Sequence, residues 1–276
     1  MCIISCSFQY KNLVIMDINA FLIDLDGVIY VQEKLIPGAI DAIAFIQRQN
    51  IPHRFVTNTT THSRRQIIER LAQVGIDVPY DHLFTAPVAA SQYLKSLGST
   101  RCFFYISRSI KVEFEGIDVV DSDPTHVIIG DVGEMFSYEM MNRVFNMIHR
   151  GAEIVALQKN RFWITREGLK LDAGAFIAAL EYAGSKTAKV LGKPSTEFFQ
   201  QACASLGFPP AEVLMIGDDL KADIEGAAVA GLHTLFVRTG KDMNASLEGL
   251  ARKPNAVLSS IADLPSLFPE HIGDGH

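Results

Sequence analysis

Short apolar runs that end in an acid or a turn alternate along the chain with helix-length stretches carrying one apolar stripe. Residues 20–25 (AFLIDL) run apolar into Asp24, and Gly27, a brief VIYVQ segment and a Pro37-Gly38 turn follow. Residues 39–50 predict a helix with Ala39, Ala42, Ile43 and Ile46 on one face. HRFVTN (53–58) predicts a strand, and THSRRQIIERLAQVG predicts a helix after it. Ser63 and Gln66 have the spacing of a capping box, Ile67, Leu71 and Val74 form the stripe, and Gly75 is the stop. The pattern returns late in the chain. AKVLG (188–192), VLMIGD (213–218) and HTLFVRTG (233–240) predict strands. Helices are predicted at 196–206 and at 220–230, the second with Leu220, Ile224, Ala227 and Ala228 inward, and AVLSS and a short IADLPSLF turn close the chain.

Strands alternating with helices of this length imply an α/β fold with a doubly wound parallel sheet, Rossmann-like in its winding. Residues 86–185 form a separate α/β block. RCFFYIS, IDVVD, THVIIGD and EIVALQ read as its strands, and two helices carry Met141, Val144, Phe145, Ile148 and Ala173, Phe176, Ile177, Leu180. The expected organisation is a core domain from 16–85 and 186–276, with an α/β domain of residues 86–185 inserted in it. Residues 1–15 contribute no motif. They are expected to be a dispensable, disordered extension, or the native start is Met16, which directly precedes DINAFLIDLDG.

Composition narrows the function classes. Of 276 residues 48% are hydrophobic, which suits a globular chain. The net charge of −6 opposes nucleic acid and anionic membrane as partners, while leaving room for a small anionic substrate held by a few local cations. No uncharged apolar run approaches the ~18 residues of a membrane span. Four scattered cysteines without a C-x-x-C pair fit a reducing, cytoplasmic setting rather than a disulfide framework. Cys102 and Cys203 sit in apolar patterns and are expected to pack.

Two acidic clusters stand at the ends of apolar strands. Asp24-Leu25-Asp26-Gly27 follows the first, and Gly217-Asp218-Asp219, with Asp223 five residues on, follows another. Ligands of an open parallel sheet gather outside the carboxyl ends of its strands. Either cluster alone is explained by solvated turn aspartates or by acids at a helix N-terminus. Both together, delivered to one crevice, suit a hard cation with oxygen ligands such as Mg²⁺. Lys193, in LGKPS after a third strand, can neutralise a phosphoryl oxygen, and Thr57-Asn58, closing HRFVTN, supply donors suited to phosphate.

The ordered set DLDGVIY, VTNTT, LGKPS and GDDLKADIEGA resembles the haloacid dehalogenase (HAD) superfamily of phosphatases. The block with YEMMNRVF, GAEIVALQ and LDAGAFIAALEYA resembles its subfamily IIA, which has a large α/β (C2-type) cap and includes the NagD-like and 4-nitrophenyl phosphatase branches. The likeness spans about residues 17–265. It implies a Mg²⁺-dependent phosphatase acting on small phosphorylated metabolites through an aspartyl-phosphate. Asp24 is then the nucleophile, and Asp26 the general acid for the leaving oxygen and afterwards the base for water. Thr57 and Asn58 hold the phosphoryl group, Lys193 screens it, and Asp24, the backbone carbonyl of Asp26, and Asp218 bind Mg²⁺. Asp219 and Asp223 stand behind these ligands or replace one of them. Dehalogenases need no acid to expel halide and lack the second aspartate, so Asp26 favours a phosphatase. The resemblance also implies a homodimer paired through the cap.

The inserted block is expected to act as a lid. Lys159, Asn160 and Arg161, after EIVALQ, are candidates to face substrate, whereas Trp163 is expected in a packed strand position. No histidines have the H-x-x-x-H spacing of a zinc site. Two rival readings are a phospho-receiver domain and a non-catalytic binding or regulatory protein on the same fold. The receiver needs only ~120 residues in one domain and explains neither LGKPS nor the insertion. The intact Asp24, Asp26, Lys193 and Asp218 argue against the other.

Overall fold

The computed structural model describes residues 18–31, 34–165 and 168–268. The expectation for residues 1–15 lies outside these. The strands in chain order are β1 (Ala20–Asp24), β2 (Tyr30–Val31), β3 (Lys34–Leu35), β4 (His53–Thr57), β5 (Leu83–Thr85), β6 (Arg101–Tyr105), β7 (Asp118–Val119), β8 (His126–Ile129), β9 (Glu153–Ala156), β10 (Phe162–Thr165), β11 (Gly168–Leu171), β12 (Lys189–Val190), β13 (Val213–Gly217), β14 (His233–Val237) and β15 (Ala256–Leu258). The α-helices are α1 (Ala39–Arg48), α2 (Arg64–Gln73), α3 (Ala86–Ser96), α4 (Tyr138–His149), α5 (Ala173–Gly184), α6 (Thr196–Leu206) and α7 (Gly226–Val229), the last preceded by one π-helical turn, Leu220–Glu225. None of the described helices is long and apolar enough to cross a membrane.

The contacts divide the chain into two compact units, Met1–His53 with Cys203–His276, and Arg54–Ala202. In the first, β15, β14, β13 and β1 lie side by side, all parallel, with Phe21 opposite Leu214 and Leu214 opposite His233. Every residue of β1 and of β13 is buried. A strand covered on both faces reads as an unbroken apolar run, which is why AFLI and VLMI show no alternation. The ring of Phe268 lies 5.6 Å from Phe21 and 6.2 Å from Phe45 of α1, anchoring that helix.

The second unit holds a five-stranded parallel sheet in the order β12-β9-β8-β6-β7. Its strands alternate between two cores, as a side-chain period of two requires. Phe103, Tyr105, Val127, Ile129 and Ile154 pack with Val144, Ile148, Ile177 and Leu180 of α4 and α5. Cys102, Ile128 and Val155 pack with Ala86, Ala90 and Leu94 of α3 and with Ile110 and Phe114 of a 3₁₀ segment. The result is a three-layer α/β arrangement. Residues 54–85 are tied into this unit by polar bonds. Asp131 N donates to Thr60 Oγ1 (3.1 Å), Ser109 Oγ to Thr61 O (2.5 Å), and Arg64 to Glu113.

The helices expected at 39–50 and after Ser63 form at 39–48 and 64–73, and the capping box is present in both directions. Cys102 and Cys203 are buried. The helix expected over 220–230 instead opens with the π-helical turn. β5 and α3 were not anticipated from the residues. Trp163 corrects an expectation: it lies in a strand but is 50% exposed, because β10 pairs with β11 in a two-stranded hairpin.

Candidate active site

The first unit carries an acidic centre. Asp24 ends β1, 6% exposed, and its Oδ1 accepts the Leu25 N–H at 2.8 Å. Asp218, 4% exposed, follows β13, and Asp223 is fully buried in the π-helical turn. One carboxylate oxygen from each of these three residues lies within 4.8 Å of the others. Like charges so close are relieved by a shared proton or by a cation, and three buried oxygen donors fit a hard divalent ion. The π turn explains why Asp223 belongs here. Ile224 N donates to Asp219 O at 3.2 Å, an i→i+5 bond, so the turn is wider than in an α-helix. The side chain of Asp26 is exposed and lies outside this three-carboxylate set. The backbone of Asp26 forms a bridge with Tyr30, and Gly27 N donates to Tyr30 O at 2.7 Å.

Close backbone approach shapes the slot around Asp218. Gly27 has φ +85°, and a Cβ there would come 2.1 Å from Asp218 Oδ2. A Cβ on Gly240 would come 2.0 Å from the same oxygen. A Cβ on Gly217 would fall 2.4 Å from Asp223 Oδ2. Any larger residue at these positions displaces a carboxylate.

Residues 239–242 complete the centre, and sequence reasoning missed them. Lys241 N donates to Asp218 Oδ2 at 2.5 Å, and Lys241 Nζ reaches Asp219 Oδ2 at 2.5 Å. The other oxygen of Asp219 caps the turn, accepting from Lys221 N and Ala222 N. Asp242 Oδ2 accepts from Leu220 N at 2.8 Å, and Thr239 Oγ1 donates to Gly27 O at 2.5 Å. Burial alone pulls the Lys241 ammonium down, but Asp219, Asp242 and Asp218 outweigh it and hold its pKa above the ordinary lysine value. The main-chain N–H that touches Asp218 leaves no trace in residue type. Only the glycine before it hints at a close approach.

The second unit carries a hydroxyl- and lysine-bearing centre. Thr57 ends β4, 2% exposed, and its Oγ1 lies 3.0 Å from Thr59 Oγ1 and accepts Thr59 N at 3.1 Å. Lys193, 3% exposed, follows β12. Asn58 joins the two segments: its Nδ2 donates to Lys193 O and its Oδ1 accepts from Lys193 N, both at 2.8 Å. A Cβ on Gly192 would lie 2.7 Å from Asn58 Oδ1 and 2.4 Å from Leu157 O, so glycine is required there too.

The loop after β9 is pinned. Gln158 Nε2 donates to Asp172 Oδ1 at 2.5 Å, and Gln158 Oε1 accepts Asn160 N. Burial pushes the Asp172 carboxyl up, against hydrogen bonds from Ala173 and Gln158. Lys159 Nζ pairs with Glu181 at 2.6 Å, so this ammonium is engaged within its own unit. Arg161 is exposed.

Two family models match the chain. A haloacid dehalogenase-like hydrolase model matches residues 21–120, and a HAD-hydrolase-like model residues 190–264. The haloacid dehalogenase-like hydrolase domain-containing protein 2 of Bos taurus is 36% identical over 255 residues, covering 92% of this chain and 97% of that protein. The chain belongs to the haloacid dehalogenase superfamily. Phospholysine phosphohistidine inorganic pyrophosphate phosphatase of Homo sapiens is 34% identical over 260 residues, 92% of this chain and 95% of that one. Among solved structures, the p-nitrophenyl phosphatase from Archaeoglobus fulgidus superposes with a TM-score of 0.85 at 25% identity, covering 91% of this chain and 99% of that chain. The fold is the α/β, Rossmann-like HAD fold, and the chain is a subfamily IIA phosphatase.

Proposed function

We propose that this HAD phosphatase hydrolyses small phosphorylated metabolites with Mg²⁺ held by Asp24 and Asp218, through an aspartyl-phosphate on Asp24. The observation that supports this reading best is the buried set Asp24, Asp218 and Asp223, with ligand oxygens within 4.8 Å of one another. The backbone carbonyl of Asp26 is assigned as a further ligand by the likeness of DLDG to the superfamily motif, and Asp223 joins the set on its burial. When bound, the ion supplies positive charge against the oxygens of the phosphoryl group and of Asp24.

In this reading an Asp24 carboxylate oxygen forms a bond to phosphorus as the phosphorus–oxygen bond to the leaving group breaks. The Asp26 carboxyl gives its proton to that leaving oxygen, then takes one from the water that cleaves the acyl phosphate. The exposure of the Asp26 side chain, beside a turn closed by Gly27, fits a group that must exchange protons. Thr57 and Asn58 are assigned to phosphoryl binding and Lys193 to charge screening. We assign 16–85 with 186–276 as catalytic core and 86–185 as a cap that selects the leaving group, with Lys159, Asn160 and Arg161 in the selecting loop. Pairing of two copies is part of the proposal, supported by the exposed Phe162, Leu169 and Leu171 of the β10–β11 hairpin. A cytoplasmic setting is supported by the buried, unpaired thiols of Cys102 and Cys203.

Hydrolysis of p-nitrophenyl phosphate with Mg²⁺ and with EDTA tests the reading. Release that depends on the metal and vanishes in Asp24→Asn is expected. Equal release in EDTA, or in Asp24→Asn, overturns it. A panel of phosphorylated metabolites ranked by kcat/KM then selects the substrate class.

A further inference from the structure

Asn58 is a substrate ligand by resemblance, yet its side chain faces the main chain. Its amide makes a two-point bond to one residue, accepting from Lys193 N and donating to Lys193 O at 2.8 Å each. The residues are 135 apart in sequence. The amide holds the groups on both sides of the Lys193 Cα, which fixes the direction of its Cα–Cβ bond. Neighbouring glycine makes this possible, since any Cβ at Gly192 would meet Asn58 Oδ1 at 2.7 Å. The lysine so aimed is 3% exposed, so its ammonium has little freedom to correct an error in its backbone.

We propose that Asn58 is a positioning residue that acts on the reaction through Lys193. Two of the hydrogen bonds an asparagine amide can make are spent on the lysine backbone. What is left of the amide is a single N–H and one lone pair. An ammonium meant to meet charge on a phosphoryl oxygen gains most when its position is set beforehand. Displacing such a group by about 1 Å costs about 100-fold in rate. The inference rests on the screening role assigned to Lys193 above and differs from the direct phosphoryl contact assigned to Asn58.

A double-mutant cycle separates the two. Turnover of p-nitrophenyl phosphate with Mg²⁺ is measured for the full chain, Asn58→Ala, Lys193→Met and the double variant, with kcat and KM resolved and folding checked by circular dichroism. Asn58→Ala is expected to lower kcat by about 10–100-fold, with a smaller change in KM. With the ammonium gone, the same substitution has nothing left to act through, so the double variant should match Lys193→Met within about twofold. If Asn58→Ala does not fold, the neutral Asn58→Ser, which adds no charge beside the phosphoryl group, takes its place in the cycle. A double variant slower than Lys193→Met by the whole single-variant factor overturns the proposal, because Asn58 then acts independently. Wild-type kcat in folded Asn58→Ala overturns it as well. Wild-type turnover in Lys193→Met instead removes the role of Lys193 itself, which identifies a failure of the reading beneath.

Discussion

The main-chain nitrogen of Lys241 donates to Asp218 Oδ2 across 2.5 Å, and the glycine before it leaves room for that oxygen and for nothing larger. A loop residue 23 positions after this strand-end acid therefore fixes its rotamer. Gly240→Ala would bring a methyl to 2.0 Å from Asp218 Oδ2 and 2.5 Å from the Gly27 Cα. The expected result is a loss of Mg²⁺ binding by calorimetry and a fall in kcat of at least about 100-fold, the usual penalty for misplacing a reacting group. Calorimetric affinity equal to wild type would show that the slot yields.

Asp24 and Asp26 divide the chemistry unequally. Asp24→Asn is expected to abolish turnover, since no other group replaces the nucleophile. Asp26→Asn is expected to slow turnover by about 10²–10⁴, the range for losing an acid–base catalyst. Equal and mild losses in kcat would contradict both roles.

The legibility of these residues differs for physical reasons. Asp24 and Asp218 stand out because an acid after a fully apolar strand breaks the pattern. From the sequence Asp223 is expected behind the metal ligands or in place of one of them, and the π turn supplies the geometry that brings its carboxylate close to those of Asp24 and Asp218. Lys241 was invisible, because it touches Asp218 through an N–H common to nearly every residue. Glu113 was equally hidden in an amphipathic segment, although its Oε1 accepts Arg64 N and its Oε2 accepts Arg64 Nε. α3 escaped because APVAASQYLKS has small residues in place of a strong stripe, and packing of Ala86, Ala90 and Leu94 decides it.

The ion pair of Arg64 with Glu113 should matter for stability. Glu113 is 1% exposed at its side chain and Arg64 19%. Arg64→Met leaves a buried carboxylate with only the residue-64 N–H as a partner among these bonds, and should destabilise by about 3 kcal/mol in urea unfolding. A shift under about 0.5 kcal/mol would mean that the carboxylate finds water or another donor.

Burial holds the Cys203 thiol up at about 12, against an ordinary value of 9.0. The unfolded chain therefore loses this proton near pH 9 while the folded chain keeps it. The contribution is fully present below pH 9 and is lost as pH rises toward 12. Unfolding midpoints should fall across that window, and Cys203→Ala should fall less steeply. Cys102, whose pKa is also raised by burial, should resist thiol reagents at pH 8 in the folded protein. Rapid labelling of either residue under native conditions would contradict this.

Diffraction from crystals soaked in Mg²⁺ and beryllofluoride addresses the proposed chemistry most directly. The expected map shows beryllofluoride joined to an Asp24 carboxylate oxygen, with one ion ligated by Asp24 and Asp218. An Asp24 left unmodified, or an ion seated away from these two carboxylates, would contradict the proposal.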